Sequence, residues 1–391
     1  MIVNNGVQIN RTIFRSFKHI KSPFMKKLAP WCILLFLLLP GCHKDSDPVD
    51  KPVESALYFP PVGSDAWETI LPDDLGWNTA ALNDLFSTLE TNGTRAFIVL
   101  QDGKIVIEEY WGKNIMNTAD FDRNSNWYWA SAGKTLIAFL IGIAQEDGLL
   151  SIYDRTSDYL GTGWTSMSSE KEELITIRHQ LTMTTGLDYT VADTYCTEPE
   201  CLQYKTDAGE QWFYHNAPYT LLKDVITSAA GIDHQDYTDL KLEAPTGMNG
   251  TWIYDGQNNV YWSKPRDMAR FGLLILNKGS WEETLLMSDE QYFTEMTTTS
   301  QSLNPAYGYL WWLNGKQKIV YPGLPISIKA QLSPDAPEDL IVGAGKNGQF
   351  VDVVPSLNMV VVRMGEAPGD VAVPIEFHNE MWLKLNPVIG R

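Results

Sequence analysis

The alternation of apolar and polar positions divides the chain into stretches of different period. Residues 95–111, RAFIVLQDGKIVIEEYW, are two apolar runs on either side of Asp102-Gly103, a dipeptide suited to the tight turn of a β-hairpin. Near the other end, LIVGAG (340–345), QFVDVVP (349–355) and NMVVVRM (358–364) predict three more short strands joined by turns. Residues 373–385, VPIEFHNEMWLKL, carry apolar positions at helical spacing and predict a closing amphipathic helix. The middle of the chain reads as helical. Residues 131–147 predict a helix stopped by Gly148, and 178–186, 217–231 and 264–279 predict three more, each stretch ending at Gly. Strands at both ends and helices between them predict an α+β fold. An antiparallel sheet is built from both chain ends and flanked by helices, and a mainly helical region, about residues 115–300, is inserted between its halves.

The first residues obey neither period. From Met25, MKKLAPWCILLFLLLPGC has two lysines, an apolar run too short to span a bilayer comfortably, and a small-residue end. Residues 1–42 are therefore expected to be a signal peptide, with Met25 a natural start. Gly41-Cys42 resembles the lipobox of bacterial lipoproteins, which implies a diacylglycerol thioether on Cys42, a lipid bilayer as partner, and a place in the bacterial cell envelope, periplasmic or at the cell surface. An ordinary signal peptide cut elsewhere is the alternative. Residues 43–66 are polar and proline-interrupted at their start and are expected to form a flexible tether, with the globular domain over 67–391.

Charge removes one class of function. The chain of 391 residues has 30 basic and 48 acidic residues, a net charge of −18. Six of the basic residues and none of the acidic ones lie in residues 1–42, so the remainder carries −24. A body this acidic repels nucleic acid, and no nucleic-acid partner is expected. Outside the cytoplasm two nearby cysteines usually pair, so Cys196 and Cys201, in CTEPEC, are expected to form a disulfide. No cluster of His and Cys supplies a metal site, and no cofactor is implied.

Three stretches carry candidate chemistry. In YWASAGKTLIAFL (128–140), Ser131 and Lys134 stand three apart at the head of a run, TLIAFLIGIA, that is apolar almost all round. Such a helix is buried on every side, so its N-terminus opens onto a cleft or boundary. There the unpaired N–H groups favour a serine alkoxide, and Lys134 projects beside Ser131 on the same face. Burial gives its ammonium reason to release a proton. The pattern alone is weak, because Ser168-Ser169-Glu170-Lys171 repeats it in a polar stretch, and a core lysine that snorkels is the plainer alternative for Lys134. Tyr214-His215-Asn216 precedes a helix, and a tyrosine near a lysine can be lowered in pKa and act as a base. A packed tyrosine with a capping asparagine is the plainer alternative. In GAGKNGQ (343–349) the glycines permit close approach of a ligand or backbone, or form a simple hairpin.

Ser131-x-x-Lys134, then Tyr214-x-Asn216, then a glycine-containing strand near the C-terminus resemble, in this order, the serine β-lactamase and penicillin-binding-protein superfamily. The Tyr-x-Asn form is similar to class C β-lactamases, D-alanyl-D-alanine peptidases, family VIII carboxylesterases and 6-aminohexanoate-dimer hydrolases. The stretches LLSIYDRTSDYL, IRHQLTMTTGLDY, PRDMARFGLLILNKGSW and YGYLWWL extend the likeness over roughly residues 75–385. The resemblance implies Ser131 as acylated nucleophile, Lys134 and Tyr214 sharing general base and acid, and Asn216 holding Lys134 or the substrate amide. It implies an oxyanion hole from the N–H groups of Ser131 and of a residue near Gly345 and Lys346. Where β-lactamases and peptidases carry Lys-Thr-Gly or His-x-Gly, this chain has Gly343-Ala344-Gly345. Without that cation, substrates bearing an adjacent carboxylate should bind weakly, which favours a small-molecule ester or amide as substrate. Trp129 and Trp312, with Trp127, Tyr128 and Trp311, are candidates for an apolar acyl pocket, or for core. A β-lactamase or D-alanyl-D-alanine peptidase, and a non-catalytic peptide-binding lipoprotein of the same fold, are the alternatives.

Overall fold

The two apolar runs at 95–111 fold as β1 (Thr94–Gln101) and β2 (Lys104–Tyr110), turned by Asp102 and Gly103 at φ of 51° and 82°. Glycine is needed at 103 because a Cβ there would run into the carbonyl of Tyr58. The structure, a computed structural model, describes residues 57–391. Cys42, the rest of the expected leader and residues 43–56 lie outside the described residues. The C-terminal runs become β4 (Ile341–Gly345), β5 (Gln349–Val354) and β6 (Met359–Gly365), and a two-residue strand, β3 (Trp312–Leu313), completes the sheet. Its order is β2-β1-β6-β5-β4-β3, antiparallel throughout, so the N-terminal hairpin pairs with the last strand of the chain. The predicted α+β fold, with a sheet assembled from both chain ends, is the observed one.

Register decides what each face of the sheet carries. Ile98, Val362, Val351 and Gly343 lie in one row across four strands. Whereas α1 (Leu82–Thr91) packs beside the last helix of the chain, that face receives two helices, α2 (Lys134–Glu146) and α3 (Pro265–Leu276). Each meets it at a glycine: a Cβ at Gly272 would overlap Val360, and one at Gly343 would lie 2.8 Å from Val351 Cγ1 and 3.2 Å from Thr135 Cγ2. Every residue of α2 from Lys134 to Ala144 is buried, as its apolar circumference requires. The neighbouring row, Phe97, Arg363, Phe350 and Ala344, faces the closing helix α4 (Ile375–Ile389). Here His378 Nε2 meets Asp352 at 2.9 Å, its Nδ1 meets Ser333 Oγ at 2.6 Å, and Trp382 Nε1 donates to Asp352 at 2.7 Å. Ser333, His378 and Asp352 are each fully buried, so this alignment of three polar groups ties helix to sheet and offers no access to a substrate.

The inserted, mainly helical region also carries a second, three-stranded sheet of Trp127–Tyr128, Asn258–Ser263 and Gly250–Asp255. Three expectations are revised. The helix expected over 178–186 stops at Leu181, because Met183 takes a left-handed φ of 59° that a right-handed helix cannot continue through. The helix expected over 217–231 is interrupted at Leu221, giving Asn216–Thr220 and Leu222–Ala230. The packed body begins before Trp67. Tyr58 N–H donates to Asp102 O (2.9 Å), Phe59 meets Trp281 edge to face, and Arg270 binds the carbonyls of Pro60, Pro61 and Ser64.

Candidate active site

Ser131 lies on a 3-10 turn, Ala130–Gly133, that leads directly into α2. Ala130 before it is held at a φ of 48°, a left-handed conformation that costs a non-glycine residue about 1–2 kcal/mol. The turn is braced from two sides. Thr135 Oγ1 donates to Ala132 O at 2.7 Å, and β4 runs alongside with no side chain at its nearest point. A Cβ at Gly345 would sit 2.5 Å from Trp129 O and 3.0 Å from Ala132 N. The glycine of the third motif thus lets the strand close on the nucleophile turn. Gly345→Ala is expected to push them apart and lower turnover about 100-fold, while circular dichroism stays native. Unchanged kinetics would show that the contact is dispensable.

The expected residues converge. Lys134 Nζ bonds Ser131 Oγ at 3.0 Å. Lys134 is 2% exposed, and burial lowers its pKa to about 7. Among the described residues it has no carboxylate partner. Besides Ser131, its amine lies over two aromatic faces, Tyr219 at 4.0 Å and Tyr214 at 5.3 Å from the ring centres. Tyr214 is moved the opposite way from the lowered pKa expected of it. Burial raises its phenol, and the nearby Ser131 hydroxyl offsets only part of that. It is therefore a protonated phenol near neutral pH, and of the two groups Lys134 is the one able to accept a proton there. Trp312 stacks on Tyr214 (5.8 Å, 19°), Tyr307 packs edge-on against both, and Trp212 packs edge-on against Trp312 and tilted to Tyr214, fixing the phenol's place.

The other candidates separate. Asn216 opens the helix after Tyr214. Its carbonyl accepts the Thr220 hydroxyl (3.0 Å), and among the described residues its side-chain amide has no partner, so it is available to a ligand. Lys346 is exposed at the end of β4, one residue past Gly345. Trp129 is not a pocket residue. It is fully buried behind the turn, its indole donating to Ser263 Oγ (2.8 Å) and its ring edge-on to Tyr261. Trp312 is at the site, but as support for Tyr214. Cys196 and Cys201 are joined, and Thr194 beside them accepts the N–H of Ala217, so the disulfide loop backs the Tyr214–Asn216 segment. The second Ser-x-x-Lys is structural: Lys171 bonds Asp207 at 2.6 and 2.8 Å. Two contributors lack a motif signal. Tyr219 lies under the lysine, and Arg363 is fully buried, with its guanidinium on the carbonyls of Asn347 (2.7 Å) and Gly348 (2.9 Å), the turn after Lys346.

A serine bonded to a buried lysine, with a tyrosine close by and a glycine strand against the turn, is the arrangement that serine acyl transfer would use, on a mixed sheet-and-helix scaffold. The Beta-lactamase family model matches residues 82–372, and the chain belongs to that family of β-lactamase-fold serine hydrolases. It is 24% identical over 307 residues to an uncharacterised protein of Alkalihalophilus pseudofirmus, covering 70% of this chain and 84% of that one. It is 27% identical over 197 residues to penicillin-binding protein 4* of Bacillus subtilis, covering 44% and 41%. A solved structure assigned as a 6-aminohexanoate-dimer hydrolase from Bacillus anthracis shares the fold at a TM-score of 0.61 and 16% identity, covering 82% of this chain and 87% of that one.

Proposed function

We propose that the protein is an extracytoplasmic serine hydrolase that cleaves ester or amide bonds through an acyl-enzyme on Ser131. The observation that carries this reading is the 3.0 Å bond between Ser131 and a lysine whose pKa burial brings to about 7. Neutral Lys134 takes the Ser131 proton as Oγ attacks the substrate carbonyl. The N–H groups of Ser131 and Lys346 receive the oxyanion. The proton passes from Lys134 through Tyr214 to the leaving oxygen or nitrogen, which departs and leaves the acyl group on Oγ. Water then attacks the acyl carbonyl, passing a proton to Lys134 through Tyr214, and the Oγ–acyl bond breaks to release the carboxylic acid as Lys134 returns that proton to Ser131 Oγ. Asn216 orients the substrate carbonyl or the Lys134 amine.

The third motif favours esters and amides over β-lactams. Gly343 is pressed between Val351 and Thr135, so a lysine or histidine has no room there. The described site thus lacks, at that position, the cation that would hold a carboxylate next to the scissile bond. Intact-mass spectrometry with a fluorophosphonate, a p-nitrophenyl ester panel and a penicillin tests this. The expected result is a phosphonate adduct on Ser131, ester turnover and little penicillin adduct. A stable penicillin adduct would move the protein to the penicillin-binding branch. The leader supports an envelope location, with Cys42 as lipid anchor. Fatty-acid labelling that survives Cys42→Ala would refute the anchor.

A further inference from the structure

Beyond the turn that follows β4 lies a cavity of about 720 Å3, within the range of small-molecule sites. Its walls come from residues 321–324 and from 368–377. Leu324 and Val371 on its rim are 44% and 65% exposed, Val373 lines it, and Phe377 forms its floor. Exposed apolar side chains gathered around a concavity mark a binding surface more often than isolated ones do. One edge is acidic. Glu376 and Glu380 stand one turn apart at the start of α4, both at least partly exposed, and among the described residues neither is in an ion pair. The nearest lysine on that helix, Lys384, is engaged by Asp84 at 2.8 Å.

The cavity is tied to the active site by backbone. Asn347, next to Lys346, donates its N–H to Ala372 O in the cavity wall (2.9 Å) and its side-chain amide to Tyr128 Oη (2.7 Å). Arg363, whose guanidinium carries the Asn347–Gly348 turn, lies over the Phe377 ring at 5.1 Å.

We propose that this cavity binds a ligand with an apolar stem and a terminal ammonium. The hydrocarbon lies against Leu324, Val371, Val373 and Phe377, and the ammonium sits at Glu376 and Glu380. Charge complementarity selects the cation, and the apolar walls select the stem. The inference rests on the cavity and not on the hydrolase reading, so it is tested on the full chain carrying Ser131→Ala, where binding is separated from turnover. Calorimetric titration with n-hexylamine, hexan-1-ol and hexanoate at about 0.15 M salt is the experiment. The amine is expected to bind saturably and at least tenfold tighter than hexanoate. Glu376→Gln with Glu380→Gln should erase that preference, and Val371→Asp should weaken the alcohol. Equal binding of all three, no saturable binding, or an amine preference that survives the double glutamine variant would overturn the proposal. The last outcome would assign the effect to the acidic surface as a whole.

Discussion

Ser131→Ala is expected to abolish the fluorophosphonate adduct and to lower ester turnover by about 10⁴-fold or more. The size follows from the chemistry removed. Without Oγ no acyl-enzyme forms, and what remains is whatever the oxyanion donors and substrate binding give to direct attack by water. The second Ser-x-x-Lys offers no substitute, because its serine opens a short helix whose lysine is held by Asp207. The fold should be unaffected, since the variant loses one oxygen on a turn still braced by Thr135 and β4. Intact mass and a urea midpoint measured side by side check both halves. A phosphonate adduct persisting on the variant would place the nucleophile elsewhere.

Lys134→Met is the second large effect, and here activity and stability should move in opposite directions. Turnover is expected to fall about 10³-fold, the scale of a lost general base. The unfolded lysine titrates near pH 10.5, whereas the folded one is lowered to about 7. Between those values the unfolded chain binds more protons, so this group's contribution to stability falls as pH drops from about 10 to 7 and is constant below. Methionine has a similar shape and no charge to desolvate, so the variant should melt higher than the parent at pH 7 and show no such gain at pH 10. In the parent, kcat/KM should rise with pH through about 7 as the amine becomes neutral. A lysine present only for packing would give the reverse pair of results, with activity retained and no rise through neutrality.

Much of the site is legible in the order of residues alone. The short apolar runs bounded by turn residues at 95–111 and 349–364 and the all-round apolar run after Lys134 are local patterns, and local backbone geometry answers to them directly. Ser131 and Lys134 are legible for the same reason, since three residues along a helical turn is a fixed distance in space. The glycines at 343 and 345 announce a close approach without saying to what.

Other features are decided only where distant segments meet. Trp129 and Trp312 both sit in aromatic surroundings in sequence, yet Ser263 and Tyr261 lie across from the first and Tyr214 across from the second. The direction of the Tyr214 shift depends on Trp212, Tyr307 and Trp312 excluding water, and Tyr307 and Trp312 belong to another part of the chain. The packing of residues 57–66 depends on Asp102, Trp281 and Arg270, far from them in sequence. Local pattern was enough for the strands, the buried helix, and the serine and lysine at its head, because hydrogen-bonded periodicity and i, i+3 proximity are set within a few residues. Three-dimensional packing was needed to say which aromatic residue supports the site, in which direction burial moves Lys134 and Tyr214, and what fills the space at Gly343. Desolvation and steric room belong to the whole set of neighbours, and no short stretch of sequence contains them.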